Sequence, residues 1–186
     1  MRLSYTIEYL TEARTILGSI DEHDMELLIH GIASITGRVF VLGVGGSAAN
    51  ASHVVNDLRK MCDIEAYAPT DNVAELTART NDDGWQYTFS DWLRVSGLGV
   101  DDALLVLSVG GGSATTSPNI VEALDYAKQV RASIFGIVGR DGGVTGTLAD
   151  ACVIIPPLYA DTITPHTEGI CSVLLHLLVS HPTLAA

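Results

Sequence analysis

The chain has 186 residues, which is enough to bury a sizeable core in one domain. Its formal net charge of -12 argues against nucleic acid or an anionic membrane surface as a main partner. Apolar residues make up 47% of the chain, but the longest apolar runs are only strand-sized, so we expect no membrane-spanning helix.

Two amphipathic helices are predicted at the start of the chain, the second running from about Asp21 to near Gly37. Acidic residues come early, unlike in a secretory signal, so we expect a cytoplasmic protein. Positive mean hydropathy, +0.31, indicates apolar surface that other subunits cover, and this helical pair (residues 1–36) is the expected interface. The apolar residues along the face of the first helix are Leu3, Ile7, Leu10, Ile16 and Leu17.

The central stretch joins a strand to a helix through glycines. An apolar run from Val39 predicts a buried strand, which ends at the turn Gly43-Val-Gly-Gly-Ser47. A helix is predicted from Ala48 through Lys60, with Ser47 as its N-cap. The free N–H groups of such a turn suit a phosphate.

His53 and Asp57 lie four residues apart and therefore on one face of that predicted helix. With the anion site before them, they indicate chemistry on a phosphorylated small molecule. Two other interpretations stay open at this point. The pair is also consistent with an ordinary surface contact, and the pattern G-x-G-x-x-A at 43–48 fits a dinucleotide fingerprint with Asp63 or Glu65 on the ribose.

The middle of the chain is predicted to contain short elements. We expect a strand at 64–68, a helix at 71–80 capped by Thr70 or Asp71, a turn at 81–84 and a helix at 85–95.

A second strand-to-glycine junction follows. The run 103–108 predicts a buried strand that leads into Val109-Gly-Gly-Gly-Ser113. After it we predict a helix at 117–130, a strand at 133–138, a glycine loop at 139–143 with a short helix to about 148, a strand at 151–155, and a last helix to about 180. Thr164 is the candidate cap of the last helix, and His166 is expected either to contact a ligand or to cap.

Alternation of unbroken apolar strands with helices is typical of a parallel sheet covered on both faces. Both glycine-serine loops leave the carboxyl ends of strands, so they are expected to converge at the ligand-binding edge. Cys62, Cys152 and Cys171 lack metal-like spacing and are expected to be reduced thiols.

Several motifs occur in order along nearly the whole chain. They are GVGGSAANASH (43–53), LTARTNDDGW (76–85), DDALLVLS (101–108), GRDGG (139–143), ADACVIIP (149–156) and TPHTE (164–168) with His176. In this combination the chain resembles the sugar isomerase (SIS) domain and, within it, the phosphoheptose isomerases. The resemblance disfavours the dinucleotide interpretation.

The resemblance implies one α/β domain over residues 1–186. Its fold would be a flavodoxin-like, three-layer αβα sandwich around a five-stranded parallel sheet of order 2-1-3-4-5, with two extra N-terminal helices. The implied activity is isomerisation of D-sedoheptulose 7-phosphate to D-glycero-D-manno-heptose 7-phosphate. It also implies a homotetramer with active sites at subunit interfaces.

Site residues follow from the same resemblance. Proton transfer falls on Asp57 and His176, and a zinc ion falls on His53, Asp57, Glu168 and His176. The two glycine-serine loops are implied to hold the phosphate. The 81–84 turn is either structural or borders the sugar, and Thr164 is a candidate ligand donor as well as a cap. The candidate substrate-binding residues are Gly45, Gly46, Ser47, Asn81, Asp82, Ser108, Gly110, Gly111, Gly112, Ser113 and Thr164.

The chain departs from the family pattern at three places. Asp57 replaces a glutamate and is one methylene shorter, and Glu168 replaces a glutamine, which gives two histidines and two carboxylates for a divalent metal. The second loop, normally serine-threonine-serine-glycine-asparagine-serine, is Ser108-Val-Gly-Gly-Gly-Ser113 with an apparent insertion at 114–117. Two hydroxyl donors are lost there, and backbone amides are candidate replacements.

One alternative from another functional class follows from the changed loop. The chain would then be a non-catalytic module that binds sugar phosphates, or a regulatory partner protein. Four convergent ligating groups argue for the enzyme, because a binding module has no need of them.

Overall fold

The computed structural model describes residues 4–185, so Leu3 of the predicted apolar face lies outside the described residues. All five strands are parallel and form one sheet of order β2-β1-β3-β4-β5, which confirms the predicted topology. The strands are β1 (Val39–Leu42), β2 (Ala66–Tyr67), β3 (Ala103–Ser108), β4 (Ser133–Val138) and β5 (Ala151–Ile154).

Eight α-helices surround this sheet within residues 4–185. They are α1 (Tyr5–Leu17), α2 (Glu22–Ala33), α3 (Gly46–Met61), α4 (Val73–Asp82), α5 (Thr88–Val95), α6 (Pro118–Val130), α7 (Gly143–Leu148) and α8 (Ile163–Ser180). Short 3-10 turns at Pro69–Asp71, Trp85–Tyr87 and Ala160–Thr162 precede α4, α5 and α8.

Two hydrophobic cores, one on each face of the sheet, make the molecule a three-layer sandwich. Because successive side chains of a strand point to opposite faces, Val41 packs with α2, α3 and α8 while Phe40 packs with α5 and α6. Strands β1 and β3 are buried on both faces, which is why they read as unbroken apolar runs.

Several predicted helix ends are wrong, for local reasons. Helix α3 starts at Gly46 and its N-cap is Gly45, so Ser47 lies buried inside the first turn instead of capping it. Gly45 has φ +62°, a conformation that residues with a Cβ atom rarely adopt, and this bend starts the helix early. Helix α4 is capped by Asn72, whose Oδ1 accepts from the N–H of Glu75, and not by Thr70 or Asp71.

Two further positions correct the predicted boundaries. Asn81 and Asp82, expected in a turn, form the end of α4, and only the 83–84 pair leaves the helix. Thr164 lies within the first turn of α8, whose N-cap is Thr162. Within residues 4–185, none of the helices is both long enough and apolar enough for a membrane span.

The three cysteines are free thiols, as predicted. Burial raises the pKa of Cys152 to about 11 and that of Cys171 to about 12, and it also raises the pKa of Cys62. The thiols therefore stay protonated at neutral pH and are poor metal ligands or nucleophiles.

Candidate active site

Helices α3 and α8 lie side by side and run in the same direction. Their contacts occur in the same order along both helices. Gly46 lies against Glu168 near the start, and Asp57 contacts His176 in the middle. The Cys62 thiol lies 3.5 Å from the carbonyl of Val179 near the end. This α3–α8 seam brings together side chains that are more than 100 positions apart in the sequence.

His53, Asp57 and His176 form a cluster in the middle of the seam. The Oδ2 atom of Asp57 is 3.3 Å from His53 Nε2 and 3.8 Å from His176 Nε2. The two imidazole rings meet edge to face, with centroids 5.0 Å apart. One ligand atom of each residue lies within 4.8 Å of the other two. The ordinary surface-pair interpretation of His53 and Asp57 is therefore incomplete, because a third group from α8 joins them.

The carboxylate of Asp57 lies at the base of this cluster. Its side chain is only 13% exposed, whereas those of His53 and His176 are 52% and 56% exposed. Asn56 donates a 2.9 Å hydrogen bond to Oδ1, which leaves Oδ2 facing the histidines. A carboxylate held this way, beside two accessible imidazoles, is suited to proton transfer with a ligand that lies over the seam.

The same three side chains fit a divalent metal by donor type and spacing. A tetrahedral zinc ion with bonds of about 2.0–2.1 Å needs ligand atoms about 3.3–3.4 Å apart. The pair His53–Asp57 already has this spacing, and His176 needs to move by less than 1 Å relative to Asp57. Two histidines and one carboxylate are a common donor set for a zinc ion that keeps one position open.

The structure does not bring Glu168 to the other predicted ligands. Eight residues of α-helix separate it from His176, about 12 Å along the axis. Its carboxylate instead lies against the start of α3, where a Cβ atom built on Gly46 would be 2.5 Å from the carboxylate carbon. Asn50 fixes the backbone there by donating a 2.9 Å hydrogen bond to the Glu168 carbonyl. A side chain at position 46 would therefore displace the Glu168 carboxylate from the start of α3.

The second glycine-serine loop borders a separate cavity of about 390 Å³ at the carboxyl edge of β3 and β4. Ser108 Oγ accepts hydrogen bonds from the N–H groups of Gly110 and Gly111, and Ser113 Oγ accepts one from Thr116. The cavity is lined by Ser108, Gly110, Gly112, Ser113, Thr116, Ser117, Arg140, Asp141 and Gly143. Of the second-loop residues predicted to bind substrate, only Gly111 is not among them.

Both glycine-serine loops border the same turn of α8. The first loop reaches Glu168 through Gly46. At the second, a Cβ atom on Gly139 would meet both Val109 and Thr167. The loops therefore converge at the edge where the topology predicted a ligand site. His53 lies six residues after Ser47, about 9 Å further along α3.

Five residues of the cavity lining were not predicted from the sequence: Thr116, Ser117, Arg140, Asp141 and Gly143. Ser117 directly precedes Pro118, the first residue of α6, so its position at the end of the loop was a usable signal. Arg140 stands in the GRDGG motif after β4, and the neighbouring position of β3 and β4 places that motif beside the second loop.

Asn81, Asp82 and Thr164 belong neither to the lining of the cavity nor to the cluster. Asn81 donates to Asp82 at the exposed end of α4, and Thr164 is exposed on α8. His166 neither caps the helix nor faces solvent. Its Nε2 is 2.8 Å from Glu12 on α1, and this hydrogen bond is the main reason why the pKa of Glu12 is lowered. His166 thus joins α8 to the N-terminal helices.

Comparison with known proteins finds phosphoheptose isomerases both among similar sequences and among solved structures. No protein-family model matches the chain. The phosphoheptose isomerase of Rhodospirillum rubrum is 32% identical over 150 residues, which span 78% of this chain and 72% of that protein. A phosphoheptose isomerase of Helicobacter pylori is 29% identical over 163 residues, 84% of this chain and 79% of that one. The solved phosphoheptose isomerase of Neisseria gonorrhoeae superimposes with a TM-score of 0.82 at 23% identity, covering 94% of this chain and 95% of that one.

Proposed function

Because this chain belongs to the phosphoheptose isomerase family, we propose that it is an aldose–ketose isomerase that converts D-sedoheptulose 7-phosphate to D-glycero-D-manno-heptose 7-phosphate. The observation that carries this proposal is the cluster of Asp57 and His176 with His53, one ligand atom of each within 4.8 Å of the others, on two adjacent helices. A sugar lying along the seam would have its phosphate at the glycine-serine loops and its carbonyl end at the cluster.

The isomerisation moves two protons. One leaves C1 of the ketose and is returned to C2, through a cis-enediol, and the other leaves the C1 hydroxyl while the C2 oxygen gains one. We assign the transfer at carbon to Asp57, because its Oδ2 faces the two accessible imidazoles of the cluster. We assign the transfer at oxygen to His176, because a neutral imidazole carries both a donor and an acceptor nitrogen.

His53, Asp57 and His176 would hold a zinc ion, and the chemistry that it supplies when bound is polarisation of a carbonyl oxygen. The same side chains would then have two duties, since a ligand bound to metal is less free to move protons. His53 has no proton-transfer role in this assignment and is the side chain that metal binding alone requires.

The self-association that we propose is a homotetramer, in which the helical pair of residues 1–36 supplies an interface. Its support is the apolar surface of the N-terminal helices. Exposed apolar side chains on α1 are Tyr5, Ile7, Leu10 and Leu17. Val173 and Leu177 of α8 share with Leu17 and α2 a surface cavity of about 410 Å³.

Deuterium exchange tests the reaction directly. Purified protein is incubated with sedoheptulose 7-phosphate in D₂O and followed by NMR. We expect deuterium at C1 of the ketose and the appearance of heptose 7-phosphate, because the proton that the base removes from C1 exchanges with solvent before it is returned to carbon. Asp57→Asn and His176→Gln should each lower the rate by about 10²- to 10⁴-fold, the usual contribution of a positioned acid or base.

The matched control is His23→Gln, which changes an exposed histidine on α2 and should keep the wild-type rate. Full activity in folded Asp57→Asn or His176→Gln would rule out the assigned roles. No exchange by the folded wild-type protein would instead favour a sugar-phosphate-binding module.

A further inference from the structure

The cavity at the second glycine-serine loop contains a cation that no predicted role uses. Arg140 is the only positively charged residue in its lining, and Asp141 is the only negatively charged one. The carboxylate of Asp141 already accepts a hydrogen bond from the N–H of Gly143, at 3.2 Å. Arg140 therefore supplies the charge that is available to a ligand.

The guanidinium of Arg140 has no carboxylate within 4.0 Å among residues 4–185. By contrast, Arg38, Arg79 and Arg94 each pair with an acidic side chain in that part of the chain. In a protein with a net charge of -12, an arginine without an acidic partner beside a hydroxyl-lined cavity is a ready site for an anion.

The backbone holds this side chain over the loop. Arg140 has φ +54°, in the left-handed region that favours glycine, at the junction between β4 and α7. Its Cδ atom passes 3.7 Å from where a Cβ atom of Gly110 would lie. This is an ordinary van der Waals distance, so the aliphatic part of the arginine side chain lies directly against the second loop.

The loop itself has few hydroxyl groups left for an anion. Val109 and Gly110 stand where the family pattern has hydroxyl residues. Ser113 Oγ is occupied within the loop, since it accepts from the N–H of Thr116 at 3.0 Å and lies 3.4 Å from the Thr116 carbonyl. The N–H groups of Gly110 and Gly111 are also engaged, by Ser108 Oγ, so a side-chain donor beside the loop would complete a phosphate site in this cavity.

We propose that Arg140 binds the phosphate group of the sugar phosphate and determines the preference for phosphorylated substrates. This inference rests on the proposed function for its substrate. A planar guanidinium donates two parallel hydrogen bonds to phosphate oxygens, which replaces the hydroxyl donors that this loop lacks.

The test compares Arg140→Gln with Arg131→Gln. Arg131 is a matched control because it also has a positive φ, +61°, and an exposed side chain, but it lies at the end of α6, at the opposite edge of the sheet. Binding of inorganic phosphate is measured by calorimetry, and the KM and kcat for sedoheptulose 7-phosphate are measured on the same preparations.

We expect Arg140→Gln to weaken phosphate binding by about 10- to 100-fold, the range for losing a hydrogen bond to a charged group. KM should rise by a similar factor while kcat changes little, because the phosphate is bound alike in the ground state and the transition state. Arg140→Lys, which keeps the charge but not the planar fork, should be intermediate, and it serves as the second variant if the glutamine protein does not fold.

Unchanged phosphate affinity in Arg140→Gln or Arg140→Lys would overturn the inference, whether or not the wild-type protein is an isomerase. An equal loss in Arg131→Gln would overturn it too, since the effect would then be general. If the wild-type protein binds phosphate through Arg140 but isomerises nothing, the proposed function fails and the phosphate site stands.

Discussion

Asp102 connects three segments at the amino edge of the sheet. Its carboxylate accepts hydrogen bonds from the backbone and side chain of Arg38, which precedes β1, and from the N–H of Gly99. Arg38 also donates to the carbonyls of Ser96 and Gly97. Burial by itself would raise the pKa of Asp102, but the hydrogen bonds from Arg38 and Gly99 outweigh it, so the pKa lies below its ordinary value.

Asp102→Asn should therefore destabilise the protein, by about 2–4 kcal/mol at pH 7, because it removes the charge from a hydrogen-bonded pair that is largely buried. A carboxylate with a lowered pKa stabilises the fold above its unfolded pKa, and this contribution is lost as the pH falls through the folded value. The difference between wild type and variant should accordingly shrink below about pH 4.

Urea unfolding at several pH values measures this difference. Asp101→Asn is the control, since the adjacent Asp101 is exposed and should change stability by less than about 0.5 kcal/mol. A stability difference for Asp102→Asn that stays constant down to pH 3 would contradict the linkage.

His53 is assigned to metal binding but not to proton transfer, so substituting it tests the metal site separately. We expect purified wild-type protein to hold about one zinc ion per chain. His53→Ala should lower the zinc affinity by more than about tenfold, the smallest loss expected when even an outer-shell partner of a ligand is removed. Elemental analysis after dialysis against a zinc buffer gives the result without an activity assay. The control is His30→Ala, which changes an exposed histidine on α2 and should keep the wild-type zinc content. Retention of zinc by His53→Ala would exclude His53 as a ligand.

At the scale of elements, the strands were the most predictable part of the fold. Strands β3 and β4 occupy the predicted residues, because buried parallel strands are unbroken apolar runs between polar or glycine residues. The start of α3 was less predictable. The sequence has glycines at 43, 45 and 46, and each of them could form the bend before the helix. In the structure Gly45 is the N-cap, with a positive φ.

The candidate site was predictable to different degrees. His53 and Asp57 follow from helical spacing, but the approach of His176 depends on α3 and α8 running side by side, which only the resemblance implied. The position of the Glu168 carboxylate was not predictable from its motif, because it depends on the packing of α8 against Gly46. Arg140 was not predicted because its contact with the second loop depends on β3 and β4 being neighbours in the sheet.

At the scale of the whole molecule, the N-terminal helices expose apolar side chains that the rest of the chain does not cover. Ile7, Leu10 and Leu17 line one surface cavity on α1, of about 360 Å³. The cavity shared by α2 and α8 adjoins it through Leu17. Exposed apolar groups that share contiguous grooves, unlike scattered ones, are typical of subunit interfaces.

Leu10→Glu should therefore weaken the proposed tetramer, by about 100-fold or more, because it would place an unpaired charge in the proposed interface. Light scattering coupled to size-exclusion chromatography measures the mass. Val95→Glu is the matched control, since Val95 is 75% exposed on α5, away from this surface, and Leu10 is 56% exposed. A tetramer that survives Leu10→Glu at low micromolar concentration would contradict the interface.

The separation between the glycine-serine loops and the His53–Asp57–His176 cluster has a consequence for the choice of sugar. On the proposed assignment, the phosphate is held at the sheet edge and the reacting carbons lie about two helical turns further along α3. The distance between the two sites along the seam then selects sugar phosphates by their number of carbon atoms. A shorter sugar phosphate anchored at the loops would leave its carbonyl short of Asp57, so selection by chain length would come from the spacing of two sites and not from the shape of either one.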